Sequence, residues 1–238
     1  MRLIVSYFKL YFLNTIRNPP ALFFTLIFPP LMFLLTAHQW GNLRQNKIEA
    51  FIVFLNYSVQ TVSFMLLGMG VSQEKNSEWS KYLRTLPVHV STMIFGRLMH
   101  TLFLCFINLI TISIVGIFIL SIPVTLTELF SFYGVALLGV IPMMLMGMTI
   151  GYAANVESSR SIFTLLNLLL LFGAFSLPGT GIFSYLREGI PTYQLVVLSL
   201  KIISPEINII SPLICLGVYT IVFAFLFQKV YSNDRRTA

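Results

Sequence analysis

Gln73-Glu74-Lys75-Asn76-Ser77-Glu78-Trp79-Ser80-Lys81-Tyr82-Leu83-Arg84-Thr85-Leu86-Pro87 separates two long apolar runs, and its reading decides the fold. Everything on either side could sit in hydrocarbon. This stretch could not, because Glu74, Lys75, Glu78, Lys81 and Arg84 would each cost a few kcal/mol at the centre of a bilayer. It must lie in water or against another protein. Its side chains also have a pattern. Trp79, Tyr82, Leu83 and Leu86 recur at i, i+3, i+4 and i+7, which places them on one stripe of a helix, while Glu74, Lys75, Glu78 and Lys81 fall on other faces. Such a stripe on a membrane surface needs a cover, either lipid or the groove of a partner.

Working outward, the composition excludes a soluble globular domain. Of 238 residues, 57% are hydrophobic and 10% are charged, whereas a soluble domain carries about 25% charge. The net charge of +7 does not point to nucleic acid, because the basic residues flank apolar runs and form no stripe. The class is an all-α, polytopic membrane protein. A span needs about 20 apolar residues, and six segments qualify: about Ala21–His38, Glu49–Val71, Met93–Ile122, Leu126–Ala154, Ser161–Leu177 and Ile207–Gln228. Pro29-Pro30 predicts a kink in the first. Residues 1–18, with Leu3, Tyr7, Leu10 and Tyr11 on one side, read as an interfacial amphipathic helix. Residues 178–206 are too broken by Pro191 and Pro205 to span, and read as an outer re-entrant helix pair. Residues 1–238 thus form a single transmembrane domain, with 73–90 as its charged cytoplasmic segment.

Orientation follows from the basic residues. With the N-terminus inside, the inner segments hold Arg2, Lys9, Arg17, Lys75, Lys81, Arg84, Arg97, Arg160, Lys229, Arg235 and Arg236, and the outer ones only Arg44, Lys47, Arg187 and Lys201. The excess places both termini in the cytoplasm.

The spans carry little chemistry. Cys105 and Cys215 sit alone in apolar runs and read as small buried side chains. Only His100 lies well inside a span, one turn from Arg97, and it reads as a residue satisfied by a neighbouring helix. The carboxylates Glu49, Glu128, Glu157, Glu188 and Glu206 fall at segment ends, which weighs against an ion-coupled transporter. No zinc pair, nucleophile elbow or phosphate-binding loop is present. No metal or cofactor is expected on this chain, and any ATP site must be on another one. Gly147 and Gly151 have the small-xxx-small spacing of packed helices. Around them Met143, Met144 and Met146, with Phe64 on the second span, are candidates for the apolar wall of a substrate path.

The same central stretch resembles the type-2 ABC transporter permeases, the membrane subunits of many bacterial ABC exporters. Their pattern after the second span, Glu-x-x-x-Gly-Thr-x-x-x-Leu-x-x-Thr-Pro, is met here by Glu74, Leu83, Thr85 and Pro87. One residue, Leu86, is added, and Asn76-Ser77-Glu78 stands where Gly-Thr is usual. An apolar helix opened by Gly96-Arg97 follows. Arg17-Asn18-Pro19 before a span holding Pro29 is similar to the family's elbow helix and first span. The resemblance implies a six-span permease in the bacterial cytoplasmic membrane that dimerises with a second permease copy and is surrounded by membrane lipid. It also implies an ABC ATP-binding subunit that carries ATP and magnesium. The coupling helix would contact that subunit through Glu74, Glu78, Trp79, Tyr82, Leu83, Arg84 and Pro87. The implied activity is export of a hydrophobic or amphiphilic substrate, such as a drug, antibiotic, peptide or lipid-linked molecule. An intramembrane lipid-modifying enzyme and a non-transporting anchor or sensor are the alternatives.

Overall fold

The computed structural model describes residues 2–37, 44–75, 77, 90–176 and 182–236. Among the described residues the regular structure is helical throughout. Helix α1 (Arg2–Ile16) leads into α2 (Pro19–Leu22), a π-helical turn (Phe23–Ile27) and α3 (Phe28–Thr36). Helix α4 (Arg44–Gln60) runs through a second π turn (Thr61–Leu66) into α5 (Leu67–Lys75). Helix α6 (Val90–Ile114) ends in a third π turn (Val115–Ile119) and is followed by α7 (Leu126–Ala153) and α8 (Val156–Ser176). Two short helices, α9 (Ile182–Glu188) and α10 (Pro191–Leu200), precede the last helix, α11 (Ile210–Arg236).

Among the described residues, four helical stretches are long and apolar enough to cross a membrane: Asn46–Lys75, Thr92–Ile119, Leu126–Ala153 and Ile210–Ser232. These correspond to the second, third, fourth and sixth expected spans. The first expected span overlaps the shorter apolar helix Phe23–Thr36 and the fifth overlaps α8, and neither is among these four. The chain is a multi-pass membrane protein. The disturbance expected at Pro29-Pro30 takes the form of the π turn just before it, where the Phe28 N–H reaches back to the Phe23 carbonyl. Prolines 29 and 30 have no N–H for the carbonyls of Thr25 and Leu26, so the helix widens where its ladder is interrupted.

The α4–α5 rod is the centre of the bundle. Its most apolar window is 83% buried, against 11% for that of α11, which lies at the periphery against α7 and α10. Phe51 of this rod meets Phe33 of α3 at 6.1 Å between ring centroids and Phe132 of α7 at 6.3 Å. Sequence position defines the start of α7 clearly. Thr125 Oγ1 accepts from the Glu128 N–H at 3.3 Å, and Glu128 Oε2 accepts from the Thr125 N–H at 2.7 Å, a reciprocal cap. Glu128 therefore serves in the N-terminal cap of α7, in keeping with its place at a segment end.

The α5–α7 contact is built on glycine. A Cβ on Gly147 would lie 2.6 Å from the Phe64 carbonyl oxygen, and one on Gly151 would lie 2.5 Å from that of Gly68. The small-residue spacing thus brings two helix backbones of this same chain together. Helix α1 departs from expectation. Tyr7, Tyr11 and Thr15 are its buried residues, while Leu3 is 57% and Leu10 is 38% exposed. Tyr7, Tyr11 and Thr15 face the protein, and the leucines face out. This inversion is available to a helix in apolar surroundings, where outward leucines cost nothing.

Candidate functional site

The roots of the charged segment are joined. Glu74, at the end of α5, forms an ion pair with Arg97, in the second turn of α6. Tyr11 of α1 closes the group, its hydroxyl donating to Glu74 Oε1 at 3.1 Å, with the Arg97 guanidinium 4.8 Å from its ring centroid and Nη2 donating to its hydroxyl at 3.4 Å. Three helices therefore meet at one carboxylate. Local sequence explains the approach. Gly96 lies where α1 crosses α6, and a Cβ there would fall 2.6 Å from the Tyr7 Cβ. Glycine lets the helices touch, and the next residue, Arg97, is thereby held against Tyr11 and Glu74. The Gly96-Arg97 pair thus has a physical basis that spacing alone did not show.

A second tie leads from the same root to α7. The Lys75 ammonium donates to the Tyr152 carbonyl and Ser72 Oγ to the Ala154 carbonyl at 3.4 Å. Both acceptors belong to the last turn of α7, whose carbonyls lack intrahelical partners and carry the negative pole of the helix. Lys75 thus serves as a cap supplied by another helix. One turn inward on α6, His100 Nε2 lies 3.3 Å from Thr15 Oγ1, and the rings of Phe8, Tyr11 and Phe12 surround it. A neighbouring helix satisfies this histidine, as expected.

Of the residues expected to contact a partner, Glu74 is at this node. Glu78, Trp79, Tyr82, Leu83, Arg84 and Pro87 lie outside the described residues. Sequence reasoning placed Arg97 in the basic count but not in the site, and it missed Tyr11 and Lys75 there. The available signal was Arg97 itself. A cation in the second turn of an apolar helix needs a nearby carboxylate, and the charged stretch before it holds two, Glu74 and Glu78.

The candidate path residues separate. Phe64, Met143 and Met146 belong to one buried cluster with Phe163, Leu195 and Leu198. Met144 belongs to the central core and also borders a groove of about 220 Å³ between α6 and α7, along with Phe95, Met99, Leu102, Ile141 and Met148. Every lining residue of this groove is apolar.

Removing the carboxylate tests the node. Glu74→Ala is expected to destabilise the protein by roughly 2 kcal/mol. That is below the 3–5 kcal/mol typical of a fully buried pair, because the Arg97 and Glu74 side chains keep 12% and 19% exposure. Thermal unfolding of Glu74→Ala, Arg97→Ala and the double variant checks this. Strictly additive losses would remove the pairing from the account.

In comparisons with known proteins, the family model described as ABC-2 type transporter matches residues 2–188. No curated protein matches the chain.

Proposed function

The chain belongs to the ABC-2 type transporter family, and from that premise we propose that it is the permease subunit of an ATP-driven exporter whose Gln73–Pro87 segment docks on a separate ATP-binding subunit. The observation that carries this reading is the three-helix closure at Glu74. A push on the segment has two covalent routes into the bundle, through α5 and α6. Two non-covalent ties, Tyr11 and Lys75, join the same point to α1 and to the end of α7. A load taken up between Trp79 and Leu86 would thus be shared by four helices.

ATP and magnesium would bind the partner, and a second permease copy would complete the transport path. Phe23–Thr36 and α8 would be the first and fifth of six spans, with both termini in the cytoplasm. Helix α10 has ten residues, a length of about 15 Å, half of what a span needs. It would be the re-entrant element on the outer side. The dry groove beside Met144, together with the cluster of Phe64, Met143 and Met146, favours a hydrophobic or amphiphilic substrate. An all-apolar wall offers no compensation for a desolvated charge.

Affinity purification from native membranes tests the reading. An ATP-hydrolysing subunit is expected to co-purify and to be lost when Trp79, Tyr82 and Leu83 are all replaced by alanine. A chain that comes down alone from membranes in which its ATPase candidates are present would defeat the proposal.

A further inference from the structure

Tyr219, Phe223, Phe227 and Tyr231 recur every four residues along α11 and so lie along one stripe of that helix. Their rings stack in pairs, Tyr219 on Phe223 at 6.0 Å between centroids and Phe227 on Tyr231 at 5.6 Å. Other faces of the helix look outward, with Val218, Ile221, Val222 and Phe225 exposed. In lipid an apolar surface gains little by leaving hydrocarbon for protein, so specific packing decides where such a helix sits. At the inner end of the stripe that packing is aromatic. The Phe227 and Tyr231 rings meet the Tyr152 ring edge to face, at 5.8 Å and 5.3 Å, with interplanar angles of 61° and 85°. Aromatic quadrupoles favour this arrangement.

Tyr152 is in the last turn of α7 and is held from two sides. Its carbonyl accepts from the Lys75 ammonium at the end of α5, while its ring takes α11. Gly151 beside it leaves no slack toward α5, since a Cβ there would lie 2.5 Å from the Gly68 carbonyl oxygen. One turn back, the Thr149 hydroxyl lies 3.3 Å from the Phe223 carbonyl of α11. Its closer acceptor, at 2.7 Å, is the Leu145 carbonyl of its own helix. The single hydroxyl hydrogen is thus spent mainly within α7. The root of the charged segment and the aromatic end of α11 therefore share one residue. The matched residues of the family model end at 188, and α11 lies beyond them.

We propose that Tyr152 is a positioning residue that makes the inner end of α11 move with the charged segment. The proposal rests on that segment docking on an ATP-binding subunit. A displacement of Lys75 pulls on the end of α7 through the Tyr152 carbonyl, and the ring of the same residue carries Phe227 and Tyr231 along. The link to α11 runs through the ring, so phenylalanine at this position keeps it and alanine cuts it.

The test uses the full chain, purified with its ATP-binding subunit and placed in lipid vesicles. Cys215 is replaced by serine, and Cys105, at 0% exposure, stays in place. An environment-sensitive bimane fluorophore is attached, in separate samples, to Gln73→Cys and to Ser232→Cys, both exposed positions. Fluorescence is read before and after trapping with ATP, magnesium and vanadate. With Tyr152 in place, and in Tyr152→Phe, both probes are expected to respond. In Tyr152→Ala and in Phe227→Ala/Tyr231→Ala, the Gln73→Cys probe still responds and the response of the Ser232→Cys probe is lost. The second variant changes only the peripheral helix, and keeps the test open if Tyr152→Ala does not assemble. A Ser232→Cys response that persists in these alanine variants would overturn the proposal. So would a silent Ser232→Cys probe beside a responding Gln73→Cys probe when Tyr152 is in place. Loss of both responses together in the alanine variants would mark Tyr152 as merely structural and also defeat it. A chain with no ATP-binding subunit, or a silent Gln73→Cys probe in a complex that hydrolyses ATP, would instead refute the docking reading, and this proposal with it.

Discussion

Gly147→Val is expected to disrupt folding of this protein by forcing two backbones apart. The new Cβ would meet the Phe64 carbonyl oxygen at 2.6 Å and the Phe64 Cα at 3.2 Å, and neither atom can rotate away. The added methyls would worsen the clash. Overpacking of this kind costs about 3 kcal/mol or more, equivalent to a fall of about 6 °C or more in melting temperature for a chain of this length. The effect should spread, because Gly68, on the other side of the contact, already lies against the Phe163 ring and the Gly147 carbonyl. Helices α5, α7 and α8 thus share one tight junction. Gly70→Ala and Gly134→Ala provide the comparison. A Cβ at either place meets nothing within 4 Å, so alanine should be neutral or gain up to about 1 kcal/mol through helix propensity. Thermal unfolding in detergent, with size-exclusion profiles, separates the two classes. A Gly147→Val protein that melts with the Gly134→Ala one would show that the α5–α7 contact can open without loss.

The second large effect concerns transport. The Trp79→Ala/Leu83→Ala variant is expected to lose export while the partner's ATP hydrolysis persists. Each truncated anchor of a docked stripe costs about 2 kcal/mol or more, and the pair together lowers productive coupling well beyond tenfold. The node of Glu74, Arg97 and Tyr11 uses neither truncated side chain, so it should remain intact and keep the protein inserted. Substrate uptake into inverted vesicles and ATPase rate, measured on the same preparation, give the answer. Unchanged uptake would remove the coupling role from this segment.

Much of the architecture could be read from local chemistry. The charged stretch could not enter hydrocarbon, and it lies between two helices whose ends, Lys75 and Val90, bracket it. The start of α7 was legible because the Thr125–Glu128 cap is a contact between residues three apart. Pro29-Pro30 announced a disturbance in the first apolar helix because a missing N–H is a covalent fact. The small-residue spacing at Gly147 and Gly151 announced a close approach, although not to which helix.

The candidate site was legible in part. Glu74 and the Gly96-Arg97 pair stood out as departures from an apolar background, but their meeting did not. It depends on α1 crossing α6 at Gly96, and the side of α1 expected from its pattern, Leu3, Tyr7, Leu10 and Tyr11, divides into two buried tyrosines and two exposed leucines. Periodicity failed there for a physical reason. In water the apolar face of a helix is the buried one, and a pattern identifies it. In lipid both faces are apolar, and what distinguishes the inner one is small size or a polar group that finds a partner. Tyr7, Tyr11 and Thr15 are buried, while Leu3 and Leu10 face out.

By itself, then, the sequence determined the membrane class, the position of the charged segment along the chain, the disturbance at Pro29-Pro30, and the likeness to a transporter family. Each of these follows from composition or from groups a few residues apart. Only the tertiary structure decided that Glu74, Arg97 and Tyr11 converge, that Lys75 reaches the end of α7, and that Met143 and Met144 serve different clusters. Those are relations between helices distant along the chain. Where every surface is apolar, helix positions are set by glycine contacts and polar pairings that no local pattern encodes.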